Sequence, residues 1–150
     1  MTVDVSGLGT QILIIATNTF PVGMLLTQFS DDADAIDIPT ITTGEAKMGV
    51  NGDLIRYSKP AIIPAVINIV PGGTDDLQLS ILLQANMVGK GKIGARDEIT
   101  ATVTYPDGRF IILREGLITG GNPGLSISSE GRFKTKPYNF SFSSYSSVGV

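Results

Sequence analysis

Short runs of β-branched and alternating apolar residues, each cut off by glycine, proline or asparagine, fill this chain from one end to the other. Val, Ile and Thr lose side-chain freedom in a helix but pack well on a pleated surface. Runs this brief, bounded by turn formers, therefore read as strands. The pattern predicts strands over residues 11–17, 24–29, 40–50, 54–58, 61–70, 99–105, 109–114 and 132–142. Between them, Pro21 and Gly23 are expected to turn the chain, and the acidic stretch 31–37 to form a solvated loop. Gly44 marks a possible bulge, and Pro64, which has no amide hydrogen, requires a bulge or a sheet edge. Asn51-Gly52 is the strongest hairpin signal, because both residues tolerate positive φ. Pro106-Asp107-Gly108 predicts a second tight turn. Residues 120–124 are expected to form a flexible loop, and the Ser-rich residues 143–150 to stay loose unless a partner orders them.

One segment departs from this pattern. Pro71-Gly72-Gly73-Thr74 interrupts a strand, and a helix is predicted over about 75–88, ended by Gly89. Thr74 or Asp75 is placed to cap the first amides; Asp75 and Asp76 suit the positive end of the helix dipole, Lys90 and Lys92 the negative end. Leu77, Ile81, Ala85 and Val88 fall on one apolar stripe, and Leu79, Leu83 and Met87 on a second, across the helix. A helix lying on a single sheet needs one such stripe. The second is expected to meet more of the same fold or a neighbouring copy, which makes Leu79, Leu83 and Met87 a candidate contact face. The expected fold is mainly β (α+β): an antiparallel β-barrel or sandwich with one flanking helix, in a single domain of 150 residues.

The chain contains no histidine and no cysteine. That removes Ser–His–Asp and Cys–His chemistry and the usual zinc sites, so no catalytic residue, cofactor or metal is expected. Hydrophobic residues make up 42% and charged residues only 17%. A surface this poor in charge is expected to be covered in part by other copies. The net charge of −3 argues against a surface that grips nucleic acid. No run approaches the ~20 apolar residues that span a bilayer, so membrane insertion is not expected, and the first residues lack the pattern of a secretion signal. The charges are segregated: Asp31, Asp32, Asp34, Asp37 and Glu45 come early, Lys90, Lys92, Arg96, Arg109, Arg114, Arg132, Lys134 and Lys136 late. Asp31, Asp32 and Asp34 on one side and Lys90 and Lys92 on the other are candidate complementary faces between copies, unless the fold neutralises them internally.

Three motifs invite a chemical reading. Gly89, Gly91 and Gly94 spell GxGxxG, but a dinucleotide site follows a strand and opens a helix, whereas this one follows a helix. The Asp31–Asp34 cluster lacks the glycine and distal glutamate of a calcium loop. Asp97 and Glu98 are adjacent, so on a strand they point to opposite faces and cannot act together.

The stretch MGVNGDLIRYSKPAIIPAVINIVPGGTDDLQLSILLQ resembles the middle of tail tube proteins of contractile-tailed bacteriophages, and SSEGRFKTKPYNFSF resembles their closing strand. Related tubes occur in pyocins and type VI secretion. The resemblance implies a β-barrel protomer with a flanking helix, rings of six copies, and rings stacked into a tube that conducts DNA. It also implies a surrounding sheath, baseplate and tape-measure partners, and a location in the virion after assembly in the host cytoplasm. Tail terminators, baseplate tube initiators and secretion-system tube proteins share the same barrel. Within this frame Leu79, Leu83 and Met87 are the candidate ring-interface face. The loop Val50, Asn51, Gly52, Asp53 and Leu54 is expected to reach a neighbouring copy, since a strong turn flanked by Val50 and Leu54 is not favoured by solvent alone.

Overall fold

The computed structural model describes residues 7–31 and 33–150. In chain order the elements are β1 (Gln11–Ala16), β2 (Phe20–Leu26), β3 (Ile36–Asp37), β4 (Gly44–Met48), β5 (Leu54–Ser58), β6 (Ile63–Ile69), α1 (Thr74–Asn86), β7 (Ile99–Thr104), β8 (Phe110–Gly121), β9 (Lys136–Phe142) and β10 (Ser144–Val148). The main sheet is antiparallel, ordered β2-β1-β7-β8-β9-β6-β3, with β10 also paired to β8. Beyond β2 the chain comes back to β6: Phe29 bridges Ile69, and the Val70 and Ser30 amides donate to the Gln28 and Asn68 carbonyls at 3.1 Å. The sheet thereby curls around one core. A mainly β, antiparallel fold with one flanking helix is what the strand pattern predicts, and of the two expected forms, barrel or sandwich, the curled sheet is the barrel.

Alternation fills that core. Along β6 every second residue, Ile63, Ala65, Ile67 and Ile69, is buried, and β9 answers with Lys136, Tyr138, Phe140 and Phe142 in register. Ile12, Ile14, Leu26, Ile99, Val103 and Leu113 complete it from the other strands. Each Ile, Leu, Val or Phe among them contributes about 1.5–3 kcal/mol by leaving water.

Several boundaries differ from the sequence expectation. Pro21 and Gly23 lie inside β2 rather than in a turn; the turn falls at residues 17–19. β2 is the end strand of the sheet path, where a missing amide hydrogen costs little. Asp97, far along the chain, holds the turn in place by accepting from the Asn18 and Thr19 amides at 2.7 and 2.9 Å. The acidic loop contributes β3, which pairs with Val66 and Ile67 of β6. On that side β3 stops short of Pro64, so the proline occupies an open edge, as its chemistry requires.

The strand predicted over 109–114 is twice as long and bends midway. Glu115 has φ 54, and Gly116 lies under the Phe142 ring so closely that a Cβ there would overlap it. Before the bend β8 pairs with β7 and β10; just past it Gly116 still faces Ile99 of β7, and from Leu117 on β8 pairs with β9. The stretch expected as a loop over 120–124 begins as the end of this strand. The Ser-rich end is also ordered: β10 runs beside β8 from Ser144↔Arg114 to Val148↔Phe110, and Ser143 Oγ donates to Glu115 at 2.7 Å at the bend. Repeated serines hide this strand from hydropathy, and every residue of β10 is exposed.

The helix ends at Asn86, two residues before the predicted end. Its faces also correct the stripe assignment. The side turned to the barrel carries Asp75, Asp76, Leu79, Leu82, Leu83 and Asn86, the first four fully buried. Leu79 therefore belongs to the core, Leu83 is half buried beside it, and of the candidate ring-interface face only Met87 stands open. The stripe turned outward is Leu77, Ile81 and Val88, with Leu77 61% and Val88 79% exposed. Hydropathy misreads this helix because three of the residues facing the barrel are Asp, Asp and Asn.

Candidate assembly surfaces

Those polar residues join the helix to the barrel. Asp76 accepts from the Lys136 ammonium at 3.0 Å, from the Tyr138 hydroxyl at 2.8 Å and from the Gly72 amide at 2.9 Å. Ser80 completes the group, 2.9 Å from the Tyr138 hydroxyl and 3.3 Å from the Lys136 ammonium. Burial alone pushes the Asp76 carboxyl up, but the Gly72 amide, Lys136 and Tyr138 together hold it below its ordinary value. Burial pulls Lys136 down, and Asp76 and Tyr138 more than reverse this, leaving it raised. The Tyr138 hydroxyl is raised, mainly by burial. Both ions are thus held charged.

Two further carboxylates act the same way. Asp75 caps no helical amide; it accepts from the Thr27 and Gln28 amides at 2.8 Å, beyond the end of β2. The Gln28 side chain in return accepts from the Asp75 amide at 3.3 Å, so the helix start is capped from the barrel. At the far end Asp97 binds the Thr19 hydroxyl and the Asn86 side-chain amide, while its own amide donates to Asn86 at 3.0 Å. Burial raises Asp97, but Thr19, Asn86 and the turn amides outweigh it and its pKa is lowered. Sequence reading missed these roles, because the partners lie tens of residues apart and no local spacing marks them. Asp75, Asp76, Asp97 and Lys136 are all within 5% of full burial, which makes them clips rather than sites open to a reactant.

The opposite arrangement holds at β4 and β5. They form a separate two-stranded sheet and, among the described residues, pair only with each other, from Gly44↔Ser58 to Met48↔Leu54. The predicted turn closes the arm: the Gly49 amide donates to the Asp53 carbonyl at 2.7 Å and the Gly52 amide to the Gly49 carbonyl at 3.0 Å, with Gly52 at φ 88. Strand alternation puts Ala46, Met48, Leu54 and Arg56 on one face and Glu45, Lys47, Ile55 and Tyr57 on the other. All eight are exposed, Met48 by 68% and Leu54 by 67%, and Val50 at the tip is bare. An arm with apolar residues on both faces and a core on neither is at best marginal by itself.

The charged candidates are brought together only in part. Asp31 is bridged by Arg132 at 3.1 Å, so some of the charge split is neutralised within the fold. Asp34 is exposed; Asp32 lies outside the described residues. Lys90 and Lys92 are exposed in the loop after α1, where Gly89 bridges Lys92 and Gly91 has φ 73. The glycine motif is thus a tight turn that follows the helix. Lys92 donates back to the Gln84 carbonyl at the helix end. Among the described residues no group of three or more acidic, His or Cys side chains is placed to hold a metal ion, and no helix is long and apolar enough to cross a membrane.

The fold is similar to that of chains found in contractile injection systems. A chain of the PVC sheath-tube complex superposes with TM-score 0.53 at 11% identity, covering 93% of this chain and 88% of that one. The tube terminating cap of the anti-feeding prophage matches with TM-score 0.56 at 7% identity over 100% and 95%. A chain of the baseplate of that prophage matches with TM-score 0.55 at 9% identity over 100% and 99%. In sequence, the profile of the family described as tail fiber protein gp32 matches residues 3–146, and the chain belongs to that family. No curated protein matches the sequence.

Proposed function

We propose that this protein is a structural subunit of a phage tail, and within it the main tube subunit: six copies form a ring, and rings stack into a hollow tube that conducts DNA into the host. The observation that carries the reading is the bare arm. Its tip, Val50, Asn51, Gly52, Asp53 and Leu54, together with Met48, offers apolar surface that none of the described residues covers. A repeating contact with a second copy covers it, and a contact between two different patches runs on as an open stack when its rotation does not close. The outward helix stripe, Leu77, Ile81 and Val88 with Met87 beside it, offers a second patch for a neighbour in the ring. Asp34 against Lys90 and Lys92 supplies opposite charges for the same purpose. The net charge of −3 suits a conduit that must not hold its polyanionic cargo.

The family description, tail fiber, and the solved fold, with examples in a tube, a cap and a baseplate, both support a tail part. Sheath, baseplate and tape-measure proteins are the partners this reading calls for, and the virion is its location, reached from the host cytoplasm. The second reading is a tube-end part, a terminator or initiator, or a secretion-system tube protein. It is supported by the likeness of the fold to a tube terminating cap. Electron microscopy of the concentrated protein separates them. Long uniform cylinders, lost when residues 49–53 are replaced by a two-residue turn, support the tube subunit. Single rings that never stack support the tube-end part. Solitary molecules at every concentration overturn both.

A further inference from the structure

The arm tip also carries a chemical liability that the rest of the chain avoids. Asparagine side chains cyclise when the following backbone nitrogen attacks the side-chain carbonyl, and glycine in the following position removes the steric barrier to that attack. The described asparagines divide sharply on this point. Asn18 donates its side-chain amide to the Ala95 carbonyl at 2.8 Å, Asn68 to the Asp34 carbonyl at 2.7 Å, and Asn86 to the Leu82 carbonyl at 2.9 Å. Asn122 precedes Pro123, which has no amide hydrogen to lose, and Asn139 precedes the buried Phe140. Asn51 alone precedes a glycine, and it is exposed at the tip of a hairpin that, among the described residues, pairs only with itself.

We propose that Asn51-Gly52 is a self-modification site, which deamidates in the free chain and is protected once the arm is docked. The Gly52 nitrogen attacks the Asn51 side-chain carbonyl carbon, loses its proton to solvent, and ammonia leaves. Water then opens the succinimide at either carbonyl, giving aspartate or isoaspartate. In the closed turn the Gly52 amide is engaged with the Gly49 carbonyl at 3.0 Å, so the reaction runs from states in which the turn has opened. A hairpin without a packed face opens readily, and one clamped by a neighbour does not. Aspartate adds a charge beside Asp53, and isoaspartate adds a backbone atom to a turn whose closure sets the arm's register. Unassembled subunits thereby age out of the pool competent to polymerise. The reactivity of the free chain stands without the proposed function; the protection rests on it.

The test is peptide mapping of the purified protein held in mildly alkaline buffer, free and assembled. Trypsin releases residues 48–56 as one peptide. In the free protein that peptide is expected to convert from amide to acid mass severalfold faster than any other asparagine peptide, and to split into aspartate and isoaspartate forms. Asn51→Gln, an exposed change that leaves the fold intact, is expected to abolish the conversion. No conversion in the free wild-type protein, or an equal rate at the other asparagines, overturns the site. Conversion at the same rate in free and assembled protein leaves the site standing and refutes the docked arm.

Discussion

The helix and the arm solve the problem of attachment in opposite ways. Helix α1 buries only two leucines completely, Leu79 and Leu82, yet it is fixed at both ends by carboxylates that reach across the fold. The arm, β4 with β5, has Met48, Val50, Leu54, Ile55 and Tyr57 to bury, and among the described residues no surface on which they are buried. One region spends polar groups on holding itself together; the other keeps apolar groups for something else. Mutations should therefore separate the two cleanly, with body variants losing stability and arm variants losing assembly.

The largest effect is expected at the buried pair. Asp76→Leu leaves the Lys136 ammonium buried without its carboxylate, which should cost about 3–5 kcal/mol in denaturant unfolding. Replacing both, Asp76→Leu with Lys136→Met, should recover most of that loss. If the single change costs nothing, the helix is not held by this pair.

Next comes Asp97→Asn, expected to cost about 2 kcal/mol near neutral pH through lost charge-assisted bonds to the 17–19 turn and Asn86. Its pH dependence gives the sharper check. A carboxyl whose folded pKa is lowered contributes fully above its ordinary value of 3.8, and that contribution fades as pH falls through the folded value. The gap between wild type and Asp97→Asn should thus be widest above 3.8 and close below it. Asp76 follows the same sign, whereas Lys136, raised above 10.5, contributes fully below that value and is lost as pH rises through its folded pKa. Circular dichroism across pH reads all three.

Gly116→Ala is expected to cost about 1.5 kcal/mol, because the added methyl meets the Phe142 ring at the bend of β8. At the small end, Leu54→Ser on the arm should change monomer stability by less than about 0.5 kcal/mol while preventing polymerisation. Loss of stability comparable to Gly116→Ala would mean that the arm packs on its own body after all.

The strand pattern was legible because burial in a sheet leaves a two-residue rhythm that hydropathy records, as in β6 and β7. Three features left no such mark. β10 pairs through its backbone and carries serines, so it reads as a tail. The packed face of α1 is headed by Asp75 and Asp76, so amphipathicity pointed to the wrong stripe and placed Leu79 outside. The turn at residues 17–19 depends on Asp97, eighty positions on, and Pro21 drew attention two residues too far. The arm was visible from Asn51-Gly52 and its apolar flanks, though its separation from the main sheet was not.

Whether the arm finds cover in a second copy is read directly by hydrogen exchange with mass spectrometry. In the free protein, amides of Gly44–Met48 and Leu54–Ser58 should exchange far faster than those of Ile63–Ile69, and in the assembled protein they should be protected to a similar degree. Fast exchange that persists in the assembly would contradict a docked arm.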